Sequence, residues 1–504
     1  MRKGHRPPGP FPAGKRGTFC RAGFPVLVGL LAVSGCARLP RHLPEAAPSA
    51  RPALARTVAQ DLGRAGVTSG AWPGRDWWTA AGLPALDTLV HGALQGNPGL
   101  REASARILAA RAAAGQADAR LVPHIHAEAR LTGQYFSRQG LHTSANGTQN
   151  LYGEFDPLAV RYPVDLWGRD RYRLRAALAS WQVARADQAE ARLVLSRAVA
   201  WHYFALLGDA RRLRLAVRRE RLERTLWRLA RIREDSGIAG ARVRYAREEG
   251  VAESRQEVAA LRASVARERQ VLARLAGHGP DWGERIPVVR WTPPARMALP
   301  ADLPLRLVAH RPDIAAARWE MEAAAARVGA ARAAFYPDVN LVLFAGWNSI
   351  HLGDLFSPGN LAHAVGPVVT LPIFEGGALR ARLKARNARY LAAGDQYRGA
   401  LLRAVQQVAS ALSRWREIHR KMRAQSRAAA AAGHLDRVAT AAWDCGIRSR
   451  VAPLRARASA AAVRGKLAAL QAADAQAWVR LESALGGGYD LPGPAPRKPP
   501  RSQP

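Results

Sequence analysis

Three kinds of side chain in this sequence have the chemistry to act on another molecule. Cys20, Cys36 and Cys445 carry nucleophilic thiols, His124 and His126 stand two apart and could share a metal ion, and Asp76, Asp87 and Asp165 could move protons. None has company at catalytic spacing. The 504 residues contain no Gly-x-x-x-x-Gly-Lys-Ser/Thr phosphate loop, since the one match to its first seven places, Gly9 to Lys15, is followed by Arg16, and no His-Glu-x-x-His, Gly-x-Ser-x-Gly or Cys-x-x-Cys. The histidine pair lacks the thiols and clustered acids of a ligand set, and the aspartates read as caps of helices or turns. No catalytic, cofactor-binding or metal-binding residue is assigned, and the chain reads as a non-enzyme.

Of the three thiols, only Cys36 sits in a defined context. A basic, Pro/Gly-rich stretch (Met1 to Arg21) precedes a short apolar run (Phe24 to Val33), which ends in Val33-Ser34-Gly35-Cys36. The run is too short to span a membrane. Its ending resembles the bacterial lipoprotein signal. That resemblance implies cleavage before Cys36, a diacylglyceryl group on the thiol and an N-acyl group on the new amino terminus. These covalent groups are the only non-protein components expected. Ala37 follows where an aspartate commonly retains lipoproteins at the inner membrane, so the outer membrane is the expected destination. Cys20 leaves with the signal and Cys445 remains alone, so no intrachain disulfide is available.

The elements around these residues repeat. Asn97-Pro98 returns as Arg311-Pro312 and Val122-Pro123 as Tyr336-Pro337, each 214 residues later. Tyr162-Pro163-Val164 returns as Leu371-Pro372-Ile373, and Ser236-Gly237-Ile238 as Cys445-Gly446-Ile447, each after 209. A duplicated unit of about two hundred residues implies pseudo-symmetry. Each copy is rich in Ala, Leu and Arg and free of proline over Val164 to Gly279 and Ile373 to Ala452, which predicts long helices. A helix from Leu166 to about Asp235 would reach roughly 100 Å. The next helix carries a seam in threes and fours (Val251, Ser254, Val258, Leu261, Val265, Glu268, Leu272, Leu275). Its counterpart starts at Ala460 and ends at Ala484.

Strand signals break the helical period. His124 to Tyr135 with Tyr152 to Val164, and Asp338 to Ala345 with Ala364 to Ile373, form one predicted β-hairpin per copy. Their polar loops, Ser137 to Asn150 and Ser349 to Asn360, belong in water. Tyr135, Phe136, Phe344 and Trp347 are candidates for a membrane interface. Four strands cannot close a barrel around a channel, whereas three chains would supply twelve.

Composition narrows the class further. The formal charge is +37, from 76 Lys and Arg against 39 Asp and Glu. The excess is spread along Ala/Arg-rich helices without aromatic interleaving, which argues against nucleic acid as a partner.

Taken in order, Asn97-Pro98-Gly99-Leu100, Asp165-Leu166-Trp167-Gly168, Arg311-Pro312-Asp313-Ile314, the run Val328 to Pro337, Leu371 to Gly377 and Ala484 to Gly488 resemble the outer-membrane factors of tripartite efflux pumps. This TolC-like family is matched most closely through its lipid-anchored NodT type. The resemblance implies a mixed all-α and β-barrel fold. In it a duplicated long-helix and β-hairpin unit forms, as a homotrimer, a 12-stranded outer-membrane β-barrel on a periplasmic α-helical tunnel. It also implies a passive conduit for drugs, aromatic weak acids or other small toxic molecules. The implied partners are a periplasmic adaptor, an inner-membrane transporter and outer-membrane lipid. The expected organisation is a signal peptide at 1–35, a lipid-anchored linker at 36–70, a first repeat at 71–290, a bridge at 291–305, a second repeat at 306–490 and a disordered tail at 491–504. The barrel and turn motif comprises Pro123, Pro163, Pro337, Pro372, Gly168 and Gly377.

Within this resemblance the periplasmic entrance falls at Gly237, Gly446, Arg448, Arg450, Ala452 and Arg455. In much of the family the helix after the second reversal carries acids that favour cations; here Ala452 and Arg455 stand in those places, and Pro453 interrupts the first turns. An entrance tolerant of anionic cargo is one expectation; an Arg455 that pairs with an acid in an interhelical groove is the other. The competing class is a periplasmic lipid-anchored coiled-coil scaffold or adaptor, which needs no duplicated strand pairs.

Overall fold

A computed structural model of the chain describes residues 67–139, 147–291, 297–300 and 310–490. The signal at 1–35, Cys36 and the tail at 491–504 lie outside the described residues, as do most of the 36–70 linker and of the 291–305 bridge. The chain divides into two units. One takes residues 123–169 and 331–385 and holds the main sheet; the other takes 44–122, 170–330 and 386–504 and is helical.

The strand unit is a four-stranded antiparallel sheet in the order β2-β3-β5-β6: β2 (His124–Tyr135), β3 (Gln149–Val164), β5 (Asp338–Ser349) and β6 (Leu361–Thr370). Both predicted hairpins form, and the two copies pair through β3 and β5, from Gly153 opposite Ser349 to Val164 opposite Val339. β5 runs four residues further than its apolar pattern suggested, and β6 ends at Thr370 rather than Ile373. Pro123 and Pro337 each stand directly before a strand. Pro163 is inside β3 but past the start of β2, whose His124 faces Arg161, so its missing N–H removes no bond to β2. Pro372 lies beyond β6, which makes the two prolines equivalent in sequence but not in pairing.

The helical unit contains α1 (Pro84–Gly96), α2 (Pro98–Ala119), α3 (Arg169–Asp235), α4 (Ala241–Leu275), α5 (Pro312–Ala333), α6 (Ala378–Asp444) and α7 (Val451–Ala484). α3 and α6 are both 67 residues long. Gly168 and Gly377 stand immediately before them with φ of 74° and 88°. Only glycine holds that left-handed conformation without strain, so the pair marks the same turn in each copy. Of the α4 seam, Val251, Ser254, Val258, Leu261, Leu272 and Leu275 are buried. Polar contacts tie α3 to α4 beside it: Ser264 donates to Asp209 at 2.6 Å, and Arg219 meets Glu257 at 3.1 Å. The main core gathers Trp77, Trp78, Leu86, Tyr203, Phe204 and Trp478 among others, with the Tyr203 hydroxyl donating to the Pro287 carbonyl at 3.0 Å.

Two segments expected to be connectors contain strand instead. β1 (Val67–Gly70), within the 36–70 linker, pairs in parallel with β4 (Met297–Pro300), within the 291–305 bridge. Neither is long or alternating enough to be read as a strand alone; each exists because the other supplies its hydrogen bonds. The Pro453 expectation is corrected too. α7 begins at Val451, so Pro453 lies in the first turn, where its absent N–H would have had no intrahelical acceptor.

The duplication is visible bond by bond at the far ends of α4 and α7. Asn97 donates its amide to the Leu275 carbonyl at 2.9 Å, and Arg311 donates to the Ala484 carbonyl at 2.8 Å. His278 donates to the Ala273 carbonyl, as Gly487 does to that of Glu482. Gly277 (φ 82°) and Gly486 (φ 99°) make these reversals, and a Cβ on either would overlap the carbonyl of Gly96 or His310. Gly277→Ala and Gly486→Ala should each destabilise the helical unit by on the order of 2 kcal/mol or more. Gly279→Ala, at φ −70° with open space around it, should be near neutral in the same thermal melts.

Asp474 occupies the register held by Val265 in the first copy. It is 3% exposed, its Oδ1 finds no donor among the described residues, and burial pushes its carboxyl up to about 6. The folded state therefore keeps this proton to higher pH than the unfolded chain. Stability is lost as pH rises from the ordinary carboxylate range to about 6 and stays lost above it. Asp474→Asn should stabilise the folded chain at pH 8 by about 2 kcal/mol, seen as a higher melting midpoint, and leave the midpoint unchanged near pH 3.5. Equal effects at both pH values would contradict this account.

Candidate conduit surfaces

The ladder registers sort the strand residues onto two faces. Leu131 faces Gly153, Val160 faces both Ile125 and Leu343, and Leu343 faces Val365, so these residues share one side of the sheet. That side contains no Asp, Glu, Lys or Arg from any of the four strands, and His363 is its one histidine. Ile125 and Val365 on it are both 69% exposed. All six charged strand residues, Glu128, Arg130, Glu154, Asp156, Arg161 and Asp338, lie on the opposite side. There Arg130 bridges Glu128 at 2.6 Å and Glu154 at 3.7 Å, and Arg161 donates to Asn340 at 3.3 Å. His124 and His126 share this charged side, and among the described residues no group of three potential ligands could hold a metal.

A bulge in β3 at Asp156 and Pro157 keeps this sorting intact. Both neighbours shift register there, and Gly346 leaves the space that the Phe155 carbonyl and Asp156 occupy. Proline, having no ladder donor, is well placed at such a bulge.

Aromatic side chains gather at one end of the uncharged side and again beyond the strand ends next to the helices. Toward the β5–β6 connection, Phe155, Trp347 and Phe356 pack with ring centroids 5.7 to 6.3 Å apart. Toward the helices, Trp167 stacks on Tyr336 at 4.7 Å and donates its indole N–H to the Pro337 carbonyl at 2.9 Å. Of the aromatics singled out from sequence, Tyr135 and Trp347 are on this side. Phe344 is on the charged side opposite Ala159, and Phe136 lies past the end of β2 and is buried. Trp167, Tyr336, Phe155 and Phe356 were missed. The first two sit in the quoted turn motifs, but only folding brings them together.

The second surface is formed by the helix reversals. After α3, Gly237 (φ 70°) donates to the Glu234 carbonyl and Ile238 to that of Arg233 at 2.8 Å. After α6, Gly446 (φ 68°) donates to Trp443 and Ile447 to Ala442 at 2.8 Å. This is the same glycine-centred helix cap, 209 residues apart. It leaves Ile238 67% and Ile447 75% exposed.

Arg448 continues the second reversal, its N–H donating to the Ala442 carbonyl, and Arg450 occupies the N-cap of α7. Ala452 is half-buried. Arg455 lines a 160 Å³ groove with Arg233 of α3 and Arg247 of α4. Arg455 thus lines an interhelical groove, and among the described residues no acid pairs with it there. Among the described residues Arg247 meets Glu223 at 3.7 Å, while Arg455 and Arg233 have no carboxylate within ion-pair distance. Three guanidinium groups thus converge where acids were the family expectation.

Among the described residues no helix is long and apolar enough to cross a membrane. The uncharged sheet face is the surface suited to lipid. A scaffold or adaptor built on coiled coils alone does not account for two duplicated hairpins joined in one sheet.

The family described as outer membrane efflux protein matches residues 89–278 and 303–487, which takes in both copies of the repeat. The fusaric acid resistance protein FusA of Burkholderia cepacia is 32% identical over 369 residues, 72% of this chain and 68% of FusA. The multidrug resistance outer membrane protein MdtP of Escherichia coli K12 is 29% identical over 443 residues, 86% of this chain and 90% of MdtP. The crystal structure of the outer membrane protein VceC from Vibrio cholerae aligns with a TM-score of 0.75 at 30% identity, covering 83% of this chain and all of that one. The chain belongs to the outer membrane efflux protein family, and it is an outer-membrane efflux channel, not an enzyme.

Proposed function

We propose that three copies of this chain close a twelve-stranded barrel and conduct small organic anions and neutral toxic molecules outward. A periplasmic adaptor seats on the tips at Gly237 and Gly446, and an inner-membrane transporter supplies the driving force. The observation that carries this reading is the sheet with one uncharged, exposed face and two open edges at β2 and β6. Edges that cannot face lipid unpaired are satisfied when the β6 of one copy meets the β2 of the next. The charged face then lines water and the uncharged face meets hydrocarbon between aromatic girdles. Exposed Ile238 and Ile447 give each tip an apolar contact for the adaptor. Acylation of Cys36 belongs to the same proposal, as a delivery anchor beside a barrel that is itself inserted.

The convergence of Arg455, Arg233 and Arg247 supports anionic cargo, because a basic constriction repels cations. The relative named for resistance to an acid is in keeping with weak acids among the exported molecules.

Light scattering of the detergent-extracted protein should give the mass of a trimer, and a soluble monomer would overturn the barrel. Val365→Arg, on the uncharged face, should cost about 2–4 kcal/mol and deplete trimer from the outer-membrane fraction, whereas Thr132→Arg on the charged face should assemble normally. In planar bilayers the wild-type channel should favour anions or discriminate weakly, and Arg455→Asp should raise its cation-to-anion permeability ratio several-fold. A strongly cation-selective wild type, unaltered by Arg455→Asp, would refute the anionic entrance while leaving the channel itself intact.

A further inference from the structure

The two hairpins of the sheet share one register. His124 faces Arg161 as Asp338 faces Thr370, each residue of the second pair standing 214 or 209 after its counterpart in the first. Between the hairpins runs a joint, in which Arg161 of β3 faces Val342 of β5, Pro163 faces Asn340 and Val164 faces Val339. This joint carries β3 past the end of its own hairpin. β2 holds β3 only as far as Arg161, and Tyr162, Pro163 and Val164 pair with β5 alone. The three equivalent residues after β6 are Leu371, Pro372 and Ile373, where the apolar pattern continues but pairing stops at Thr370. Leu371 is 51% and Ile373 60% exposed, and on the other open edge of the sheet Ile125 of β2 is 69% exposed.

β6 is the repeat of β3 and β2 is the repeat of β5, so the two open edges of the sheet are the two halves of a second such joint. They lie on opposite sides of one sheet, and the halves can meet only between two copies of the chain. On the trimeric reading proposed above, we infer that β6 pairs with the β2 of the next copy in the register of β3 with β5. Thr370 then faces Glu128 of the next copy, Pro372 faces its His126 and Ile373 faces its Ile125. The partner strand extends β6 by three residues, to the Ile373 at which its apolar pattern ends. Every pair keeps its face, with Thr370 and Glu128 on the charged side and Ile373 and Ile125 on the uncharged one. A slip of one residue would set Glu128 against Val369 or Leu371 of the uncharged side. The joint inside the chain is also locked by Arg169 and Asp338, 3.5 Å apart. Their equivalents, Ala378 and His124, form no ion pair, so the joint between copies rests on its ladder and its apolar side chains.

Cysteine pairs in the detergent-extracted full-length protein, on a Cys445→Ser background, test the register, because a disulfide needs two residues facing at close range. Under mild oxidation Thr370→Cys/Glu128→Cys should link copies into covalent dimers and trimers. It should do so at least about fivefold faster than Thr370→Cys/His126→Cys or Thr370→Cys/Arg130→Cys, which probe slips of two residues. Arg161→Cys/Val342→Cys is the corresponding pair inside one chain and calibrates the chemistry. It should lose its free thiols at a similar rate without joining copies. Faster linking by the His126 or Arg130 pair would overturn the register and leave the barrel standing. If no pair links copies although the internal pair closes, β6 and β2 do not meet as inferred. Light scattering on the same samples then separates the two failures: a trimeric mass overturns this joint alone, whereas a monomeric mass overturns the trimeric channel with it.

Discussion

Backbone hydrogen-bond satisfaction is the constraint on which the rest of this protein depends. A four-stranded sheet leaves one side of β2 and one side of β6 unpaired, and unpaired N–H and C=O groups beside hydrocarbon cost several kcal/mol each. The side chains on that sheet do not let it retreat into water either, because Ile125, Leu131, Val365 and their neighbours leave an entire face without charge. The sheet is consistent only with lipid on one side and other strands at its edges. Assembly is thus part of the folding problem of each chain.

The same accounting governs the helical unit. The last carbonyls of α4 and α7 cannot bond within their own helices, and the two copies solve this with different residues at the same place. Asn97 offers a neutral amide to Leu275, while its side-chain oxygen accepts from Gly99 and Leu100. Arg311 offers a guanidinium to Ala484 and needs Asp313 and Gln407 to satisfy the rest of its donors. A buried charge requires that fuller set of partners, which explains why the second copy has an acid two residues on and the first has glycine. Duplication preserved the bond and let the chemistry drift.

Charge is where this chain departs most from balance. Many of its arginines are held by acids one helical turn away or across a hairpin, as Arg224 is by Glu220 and Arg457 by Asp436. Where such pairs are exposed, as Arg106 and Glu102 are, they add little stability. α7, by contrast, has only Asp474 and Glu482 as acids, and burial pushes the second up to about 7. Among the described residues Arg233 and Arg455 at the tip, and Arg211, Arg214 and Arg218 on α3, are left without carboxylate partners. The positive excess therefore matters as local, concave concentrations of guanidinium rather than as a uniform field.

The sequence by itself determined the duplication, the long helices, the two hairpins and the reversals at Gly237 and Gly446. Each follows from a local rule: proline-free helix formers, alternation with period two, or a glycine with positive φ. It left Arg455 open between the entrance and an interhelical groove. Tertiary structure alone decided the rest. The β1–β4 pair depends on two short segments about 230 residues apart meeting, which no local signal records. The bulge at Asp156 and Pro157, accommodated by the absence of a side chain at Gly346, put Arg161 on the same face as Glu154 although they stand seven apart in β3. Arg455 and Arg233 remained without acids because three helices bring their basic faces together. Spacing along a chain can say which residues share an element, but pairing between elements decides which charges meet.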